Sequence, residues 1–98
     1  MIRILLPYHL RNLAQVEDEI TLKVEGIVTL NSIINSLVAE YPMLQGTILN
    51  HLNQKRRPLL RFFVCGEDIT HDSMDTPLPD AVLNSTEPLI VVGAIAGG

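Results

Sequence analysis

The spacing of apolar residues changes near residue 30 of this 98-residue chain, and that change constrains the fold more than any other feature. From residue 30 onward, apolar side chains recur at intervals of three and four, which places them on one face of an amphipathic helix: Leu30, Ile33, Ile34, Leu37, Val38 and Tyr41. Thr29 is a suitable N-cap, and Pro42 ends the helix because the residue before a proline is displaced from helical geometry. The pattern predicts one long helix that must bury its apolar face against a second layer.

Short apolar stretches on either side of this helix predict strands. Residues 1–6 and 19–25 alternate, so that each stretch carries its apolar side chains on one face: Ile2, Ile4, Leu6, Ile20, Leu22 and Val24. Residues 58–66 predict a third strand with Phe62 and Val64 on one face, followed by a short edge strand around Ile69. The apolar run in residues 87–95 predicts a last strand that is central and buried on both sides.

The remaining segments are predicted to connect these elements. We expect a polar connection over residues 8–18, a short second helix over 44–53 and an irregular turn over 74–83. The predicted order is β, β, α, β, β, β, in which one main helix covers a mixed sheet of four to five strands. That order predicts a single α+β domain over residues 1–98 with the ubiquitin-like β-grasp arrangement.

Composition excludes several classes of function. The net charge of −4 argues against nonspecific nucleic-acid binding, which needs an excess of Lys and Arg. Cys65 is the one cysteine, so no intrachain disulfide is possible and a reducing compartment is favoured. Residues 1–10 have no signal-peptide pattern, and no apolar run reaches transmembrane length. We therefore expect a cytoplasmic protein that binds neither nucleic acid nor membrane.

The sequence finishes with two glycines, and this end has two alternative interpretations. Glycine is poorly suited to hold a chain end in place, so we expect residues 96–98 to be a flexible tail. Either the tail has no role, or the carboxylate of Gly98 is the reacting group.

Several segments, taken in order, resemble the MoaD/ThiS family of ubiquitin-like sulfur carriers. The similar segments are "HLRNLA" at 9–14, "VTLNSIINSLVAEYPML" at 28–44, "FVCGEDI" at 63–69, "DTPL" at 75–78 and "AGG" at 96–98. The resemblance implies a group carrier and not an enzyme, with no catalytic residue, no bound metal and no bound cofactor. It also implies that the chain could be the small non-catalytic subunit of a synthase.

The resemblance further implies how Gly98 is used. A ubiquitin-activating-type adenylyltransferase would use ATP to adenylate the Gly98 carboxylate, and a sulfurtransferase would then supply the sulfur of a thiocarboxylate. A sulfur-accepting synthase subunit, of the molybdopterin type most readily, would receive that sulfur. Gly97, Ala96 and Ile95 would enter the partner's active site with Gly98, because a backbone without Cβ atoms can approach closely. The alternatives are a protein modifier conjugated through Gly98 and an interaction domain with an inert tail.

The other chemically suggestive residues have structural explanations. His9, His51 and His71 lack ligand spacing with one another or with Cys65, so a metal site is not predicted. The basic run at 55–57 and the acidic runs at 17–19 and 67–68 are predicted to be solvated. Phe63 is opposite in phase to Phe62, so Phe63 belongs either to a partner surface or to the core. We take Phe63 and Val92 as the candidates for a partner surface.

Overall fold

A five-stranded mixed sheet with one long helix forms the fold, in a computed structural model that describes residues 1–46, 48 and 60–93. The described elements are β1 (Ile2–Leu5), α1 (Tyr8–Ala14), β2 (Ile20–Leu22), α2 (Leu30–Glu40), a 3₁₀ helix (Pro42–Leu44), β3 (Leu60–Val64), β4 (Glu67–Asp68), α3 (Asp80–Leu83) and β5 (Leu89–Gly93). The strand order is β2-β1-β5-β3-β4. The predicted ubiquitin-like β-grasp architecture is confirmed.

Strand β5 lies at the centre of the sheet because both of its neighbours pair with it directly. It runs parallel to β1, with Ile4 opposite Leu89, and antiparallel to β3, with Val64 opposite Leu89. Strand β2 pairs with β1 and strand β4 pairs with β3, both antiparallel, and these two strands form the edges. The last strand has the predicted central position, and the short edge strand is present at Glu67–Asp68, just before Ile69, around which it was predicted.

The main helix begins where the sequence predicts it. The Thr29 hydroxyl accepts a hydrogen bond from the Ser32 backbone N–H at 3.0 Å, and the Ser32 hydroxyl accepts one from the Thr29 N–H at 2.8 Å. This reciprocal capping box satisfies two backbone donors that the first helical turn would otherwise leave unpaired. Helix α2 buries four of the six predicted apolar residues, Leu30, Ile33, Ile34 and Leu37, and the other two pack partly buried against the core.

The core lies between α2 and one face of the sheet. The alternating residues of the strands point into it and are almost completely buried: Ile2, Ile4, Ile20, Leu22, Leu60, Phe62, Val64, Leu89 and Val91. Burying one such side chain contributes roughly 1.5–3 kcal/mol relative to leaving it in water. One continuous cluster of this kind is what a domain of this length needs in order to fold alone.

Three segments differ from the predictions. Residues 8–14 form helix α1 and not a polar connection, because Leu10 and Ala14, one helical turn apart, are both buried. Residues 80–83 form the short helix α3, which is anchored by buried Val82, where an irregular turn was expected. Strand β2 is limited to Ile20–Leu22, although Val24 still packs against the core.

The prediction that β5 is buried on both sides is wrong. Its inward residues Leu89 and Val91 are buried, but Ile90 is half-buried and Val92 is exposed. Helix α2 therefore covers one face of the sheet. Burial in the core explains Leu89 and Val91, but the apolar residues Ile90 and Val92 on the other face need a separate explanation.

Some predictions fall on residues outside the described ranges. These are the flexible tail at 96–98 and all but the first few residues of the predicted second helix at 44–53. Within the described ranges, no helix has the length and apolar character needed to cross a membrane.

Candidate functional site

The candidate site is the end of β5 together with the sheet face beside it. Gly93 is the last residue of β5 and pairs with Leu60 of β3. The residues predicted to react or to enter a partner, namely Ile95, Ala96, Gly97 and Gly98, lie outside the described residues. Five residues follow Gly93, and an extended chain of that length reaches at most roughly 17–18 Å.

The sheet face opposite α2 carries a row of apolar side chains. Leu5, Ile90 and Phe63 occupy adjacent positions on β1, β5 and β3, because Leu5 pairs with Ile90 and Ile90 pairs with Phe63. Alternation along each strand points these side chains away from the core. All three are half-buried, and Val92, two residues along β5, is 42% exposed. We call these four residues the outer sheet surface.

Two members of this surface, Phe63 and Val92, were predicted from the sequence, and the structure places them on neighbouring strands. Leu5 and Ile90 were not predicted. The signal that identifies them is an apolar residue out of phase with the buried positions of its own strand, as Ile90 is between Leu89 and Val91. The apolar run of β5 therefore combines a core face with an outer face.

Arg61 and Arg3 lie on the same strands as the outer sheet surface. Arg61 pairs with Val92 across β3 and β5, and its Nη1 lies 3.2 Å from Nε2 of His71. Arg3 forms hydrogen bonds of 3.0–3.2 Å with the Glu19 carboxylate, and this pairing raises the pKa of the Arg3 guanidinium. An apolar surface with charged side chains at its margin is the usual composition of a protein–protein interface.

Asp68 stands at the β4 edge, next to the outer sheet surface, because it pairs with Phe63. Its carboxylate accepts hydrogen bonds from the Thr70 hydroxyl and, at 2.9 Å, from the Thr70 backbone N–H. The Thr70 side chain, followed by the Thr70 backbone, therefore holds the pKa of Asp68 below its ordinary value, and Arg61 adds to this shift. The carboxylate stays charged at neutral pH, so this edge presents a fixed negative charge.

The remaining candidate residues lie apart from one another. Cys65 is exposed at the tip of the β3–β4 hairpin, where its φ of 53° and the φ of 78° at Gly66 form the tight turn. His9 is on α1 and His71 follows β4, whereas His51 and the basic run at 55–57 are outside the described residues. Among residues 1–46, 48 and 60–93, no group of three His, Cys, Asp or Glu side chains is arranged to hold a metal ion.

A small cavity of about 180 Å³ lies between the start of α2 and the segment after β4. Its lining includes Leu30, Ile69 and Leu78, with Glu67 and Asp72 among the polar residues. Its lining contains no histidine, lysine or cysteine. It is also smaller than the usual pocket for a small-molecule ligand. The sheet face and the end of β5 are therefore the stronger candidate.

Searches by sequence give no match, either to a protein-family model or to a curated protein. Solved structures do match. SAMP1 from Haloferax volcanii superposes with a TM-score of 0.75 at 16% identity, over 98% of this chain and 97% of its own. A chain of the Amycolatopsis orientalis BexX/CysO complex gives 0.75 at 18% identity, over the whole of both chains.

A third match is the small archaeal modifier protein 1 from Methanosarcina acetivorans, with a TM-score of 0.73 at 20% identity over 98% of this chain and 94% of its own. Coverage is nearly end to end in all three cases, so the whole domain is shared and not one motif. At these identities the likeness concerns the fold. The chain therefore shares its fold with SAMP1 and with a chain of the BexX/CysO complex, in agreement with the ubiquitin-like β-grasp arrangement that the sequence predicts.

Proposed function

We propose that this chain is a sulfur carrier whose Gly98 carboxylate is adenylated and then converted to a thiocarboxylate. The observation that carries the proposal is the course of β5. The central strand of a β-grasp sheet, held on both sides, leads within five residues to the Gly97–Gly98 pair. The end-to-end fold likeness to SAMP1 and CysO supports it.

The chemistry assigns Gly98 the role of a substrate. A carboxylate is a poor electrophile, so one of its oxygens attacks the α-phosphate of ATP, and pyrophosphate leaves. Sulfide that attacks the acyl carbon of the adenylate displaces AMP and leaves the thiocarboxylate, in which one oxygen of Gly98 has been replaced by sulfur. A persulfide that attacks instead displaces AMP to leave an acyl disulfide, and a thiol of the sulfur-donating or activating enzyme then cleaves the S–S bond, which releases the thiocarboxylate and forms a disulfide on that enzyme. The activating enzyme supplies the ATP and the catalytic groups. This chain supplies a reacting carboxylate on a narrow, unbranched backbone, because Gly97 and Gly98 have no side chains.

The outer sheet surface is the proposed docking site for the adenylyltransferase and, afterwards, for the sulfur-accepting synthase subunit. Leu5, Phe63, Ile90 and Val92 form an apolar centre, and the guanidinium of Arg61 and the carboxylate of Asp68 lie at its margin. Val92 is one residue from Gly93, so a partner bound there lies beside the start of the tail. CysO of Amycolatopsis orientalis is found in a complex with BexX, which supports a role exercised on a bound protein partner.

Deletion of Gly98 tests the proposal directly. The chain is mixed with each ubiquitin-activating-type adenylyltransferase of its own organism, and ATP–pyrophosphate exchange is measured. We expect exchange with the wild-type chain and none with the chain lacking Gly98, because the carboxylate moves by one residue. Thermal melts of the two chains should coincide, since Gly98 lies five residues beyond the last core strand. Normal exchange by the truncated chain would refute the reaction at Gly98.

Protein modification is the second candidate, and the structural likeness to a small archaeal modifier protein favours keeping it. Both fates begin with the same adenylate, so exchange does not separate them. Intact-mass spectrometry does, after co-expression with the activating enzyme and a sulfurtransferase. A carrier shows a chain ending at Gly98 with one oxygen replaced by sulfur. A modifier shows conjugates of higher mass, in which the Gly98 carboxylate of the whole chain is joined to lysines of other proteins by an isopeptide bond.

The most specific part of the proposal is the biosynthetic pathway that receives the sulfur. We favour a molybdopterin-type synthase as the acceptor, in the cytoplasm, where an exposed thiol such as Cys65 stays reduced. Incubation of the thiocarboxylated chain with a molybdopterin synthase large subunit and its precursor tests this. Formation of the dithiolene product supports it, whereas sulfur transfer only to a thiazole synthase or a cysteine synthase assigns the chain to that pathway instead.

A further inference from the structure

Two charged side chains, Arg61 and Asp68, border the outer sheet surface on the same side. Asp68 pairs with Phe63 across β4 and β3, and Arg61 pairs with Val92 across β3 and β5. Directly paired residues of an antiparallel ladder point to the same face, so both charges lie on the face of Phe63 and Val92. Both charged residues are exposed. Since Val92 is the penultimate residue of β5, Arg61 lies nearer to the end of that strand, and Asp68 lies one row of side chains farther back.

Each of these two side chains makes a hydrogen bond that orients it and leaves its charge in place. A guanidinium has only hydrogen-bond donors, so the His71 Nε2 atom, 3.2 Å from Arg61 Nη1, is the acceptor in their contact. The Asp68 carboxylate accepts hydrogen bonds from the Thr70 hydroxyl and, at 2.9 Å, from the Thr70 backbone N–H. Neither contact supplies an opposite charge.

The charge of Arg3, on β1, is by contrast matched within the chain. Its Nη2 lies 3.0 Å from Oε2 of Glu19, and this is the one ion pair in the part of the chain that the structure describes, residues 1–46, 48 and 60–93. Arg61 and Asp68 therefore present a positive and a negative charge in adjacent rows, next to an apolar centre, and neither is in an ion pair with a described residue.

We infer that Arg61 and Asp68 are specificity-determining residues, and that the partner's face presents a carboxylate opposite Arg61 and a lysine or arginine opposite Asp68. This inference rests on the proposed function, because it names the chemistry of the protein surface that binds the outer sheet surface. The planar guanidinium fork of Arg61 matches the two oxygens of a carboxylate. A partner bound the other way round would bring like charges together, which is unfavourable. The order of the two charges thus fixes the orientation of the partner, with its carboxylate nearer to the end of β5.

Binding of charge variants to the adenylyltransferase that activates the wild-type chain tests this order, with surface plasmon resonance as the measurement. Arg61→Glu should raise Kd about tenfold in about 0.1 M salt, mainly through slower association, because two carboxylates would then face each other. The factor should shrink to about twofold in about 1 M salt, where the screening length is about 3 Å and not about 10 Å. Lys23→Glu is the matched control, since this exposed lysine follows β2 at the opposite edge of the sheet and its reversal changes the net charge equally. It should bind as wild type.

A double variant, Arg61→Asp with Asp68→Arg, separates the order of the two charges from their sum. It keeps the wild-type net charge and reverses the order, so its Kd in low salt should be at least as high as that of Arg61→Glu. Asp68→Asn keeps an oxygen acceptor for Thr70 and should raise Kd about threefold. Thermal melts check that every variant is folded. Wild-type affinity of the double variant, or equal effects of Arg61→Glu and Lys23→Glu, would overturn the inference.

ATP–pyrophosphate exchange separates this inference from the proposed function. At saturating concentrations each variant should be adenylated at the wild-type rate, because the reacting carboxylate of Gly98 is unchanged. If the wild-type chain is activated and the charge variants bind as it does, the carrier function stands and the inferred partner chemistry is wrong. If no adenylyltransferase activates the wild-type chain, the proposed function fails, and this inference fails with it.

Discussion

The two faces of the same sheet differ in what their apolar side chains do, and Phe62 and Phe63 make the comparison direct. These adjacent residues of β3 are chemically identical, yet Phe62 has no solvent exposure and Phe63 is half-buried on the opposite face. Helix α2 covers the first face, whereas the second face is the outer sheet surface. The comparison teaches that apolar character in a strand does not by itself indicate burial, because one face of the sheet supplies the core and the other supplies the surface that we propose for partner binding.

The largest effect should come from removing the inner aromatic. Phe62→Ala leaves a cavity in the closed core and should lower the free energy of unfolding by about 3–5 kcal/mol. Urea denaturation followed by circular dichroism measures this loss. Phe62→Leu is the control, since it keeps most of the volume and should cost clearly less. A loss below about 1 kcal/mol for Phe62→Ala would mean that the two faces do not differ in this way.

Replacement of Phe63 on the outer sheet surface should instead weaken partner binding, with a smaller loss of stability. Phe63→Ala should cost less stability than Phe62→Ala, about 1–2 kcal/mol, because the Phe63 side chain is only partly buried. It should weaken binding of the adenylyltransferase about tenfold, as an aromatic residue at the centre of an interface typically does. Titration calorimetry against that enzyme is the measurement, with Leu13→Ala as a control at an exposed apolar residue outside the outer sheet surface. Equal binding by the Phe63→Ala and wild-type chains would remove this face from the proposed interface.

The helix that closes the inner face can be weakened without touching the sheet. Thr29→Ala removes the hydroxyl acceptor of the capping box and should cost about 1 kcal/mol of stability. Thr29→Ser keeps the hydroxyl and should retain most of it. Adenylation measured well below the melting temperature should be unchanged in both variants, because the capping box and the outer sheet surface lie on opposite sides of the sheet. A specific loss of adenylation in Thr29→Ala would show that the two faces are not independent.

The smallest expected effect is on the pH dependence of stability, through the Asp68 carboxylate at the edge of the outer sheet surface. Hydrogen bonds from Thr70 lower the pKa of Asp68 in the folded chain. Asp68 therefore contributes stability that is present above its unfolded pKa of about 3.9 and is lost as pH falls through the lower folded value. Asp68→Asn keeps an oxygen acceptor for the Thr70 N–H but cannot titrate. Melting temperatures should converge between the two chains as the pH drops below about 4, and parallel curves down to pH 2 would contradict the assignment.

Sequence patterns were informative where many residues repeat one spacing. Helix α2 is predicted by six apolar positions and a cap, and the two-residue alternation of β3 is by itself enough to assign Phe62 and Phe63 to opposite faces. Helix α1 was missed because seven residues with two buried positions, Leu10 and Ala14, are too few to establish a helical period. Helix α3 is shorter still and has one buried residue, Val82.

The candidate site was predictable in part for the same reason. Phe63 and Val92 stand out in the sequence as aromatic or apolar residues out of phase, but Leu5 and Ile90 are adjacent to them only through strand pairing. Spacing patterns are local, so a contact made by the parallel β1–β5 pair leaves no trace in them. The role of Gly98 remains a prediction from the sequence.

The parallel pairing of β1 with β5 has a consequence for how the molecule is made. Ile4 and Leu89 are partners in the sheet although they are 85 positions apart, so the sheet cannot close until the chain has been synthesised beyond residue 89. Contacts this distant in sequence form slowly and late in folding. Until β5 inserts, the β1–β2 pair and the β3–β4 pair share no strand partner. Chains released before β5 is made would have neither a finished core nor a route to Gly98, so an activating enzyme that recognises the closed sheet would accept only chains that have finished folding.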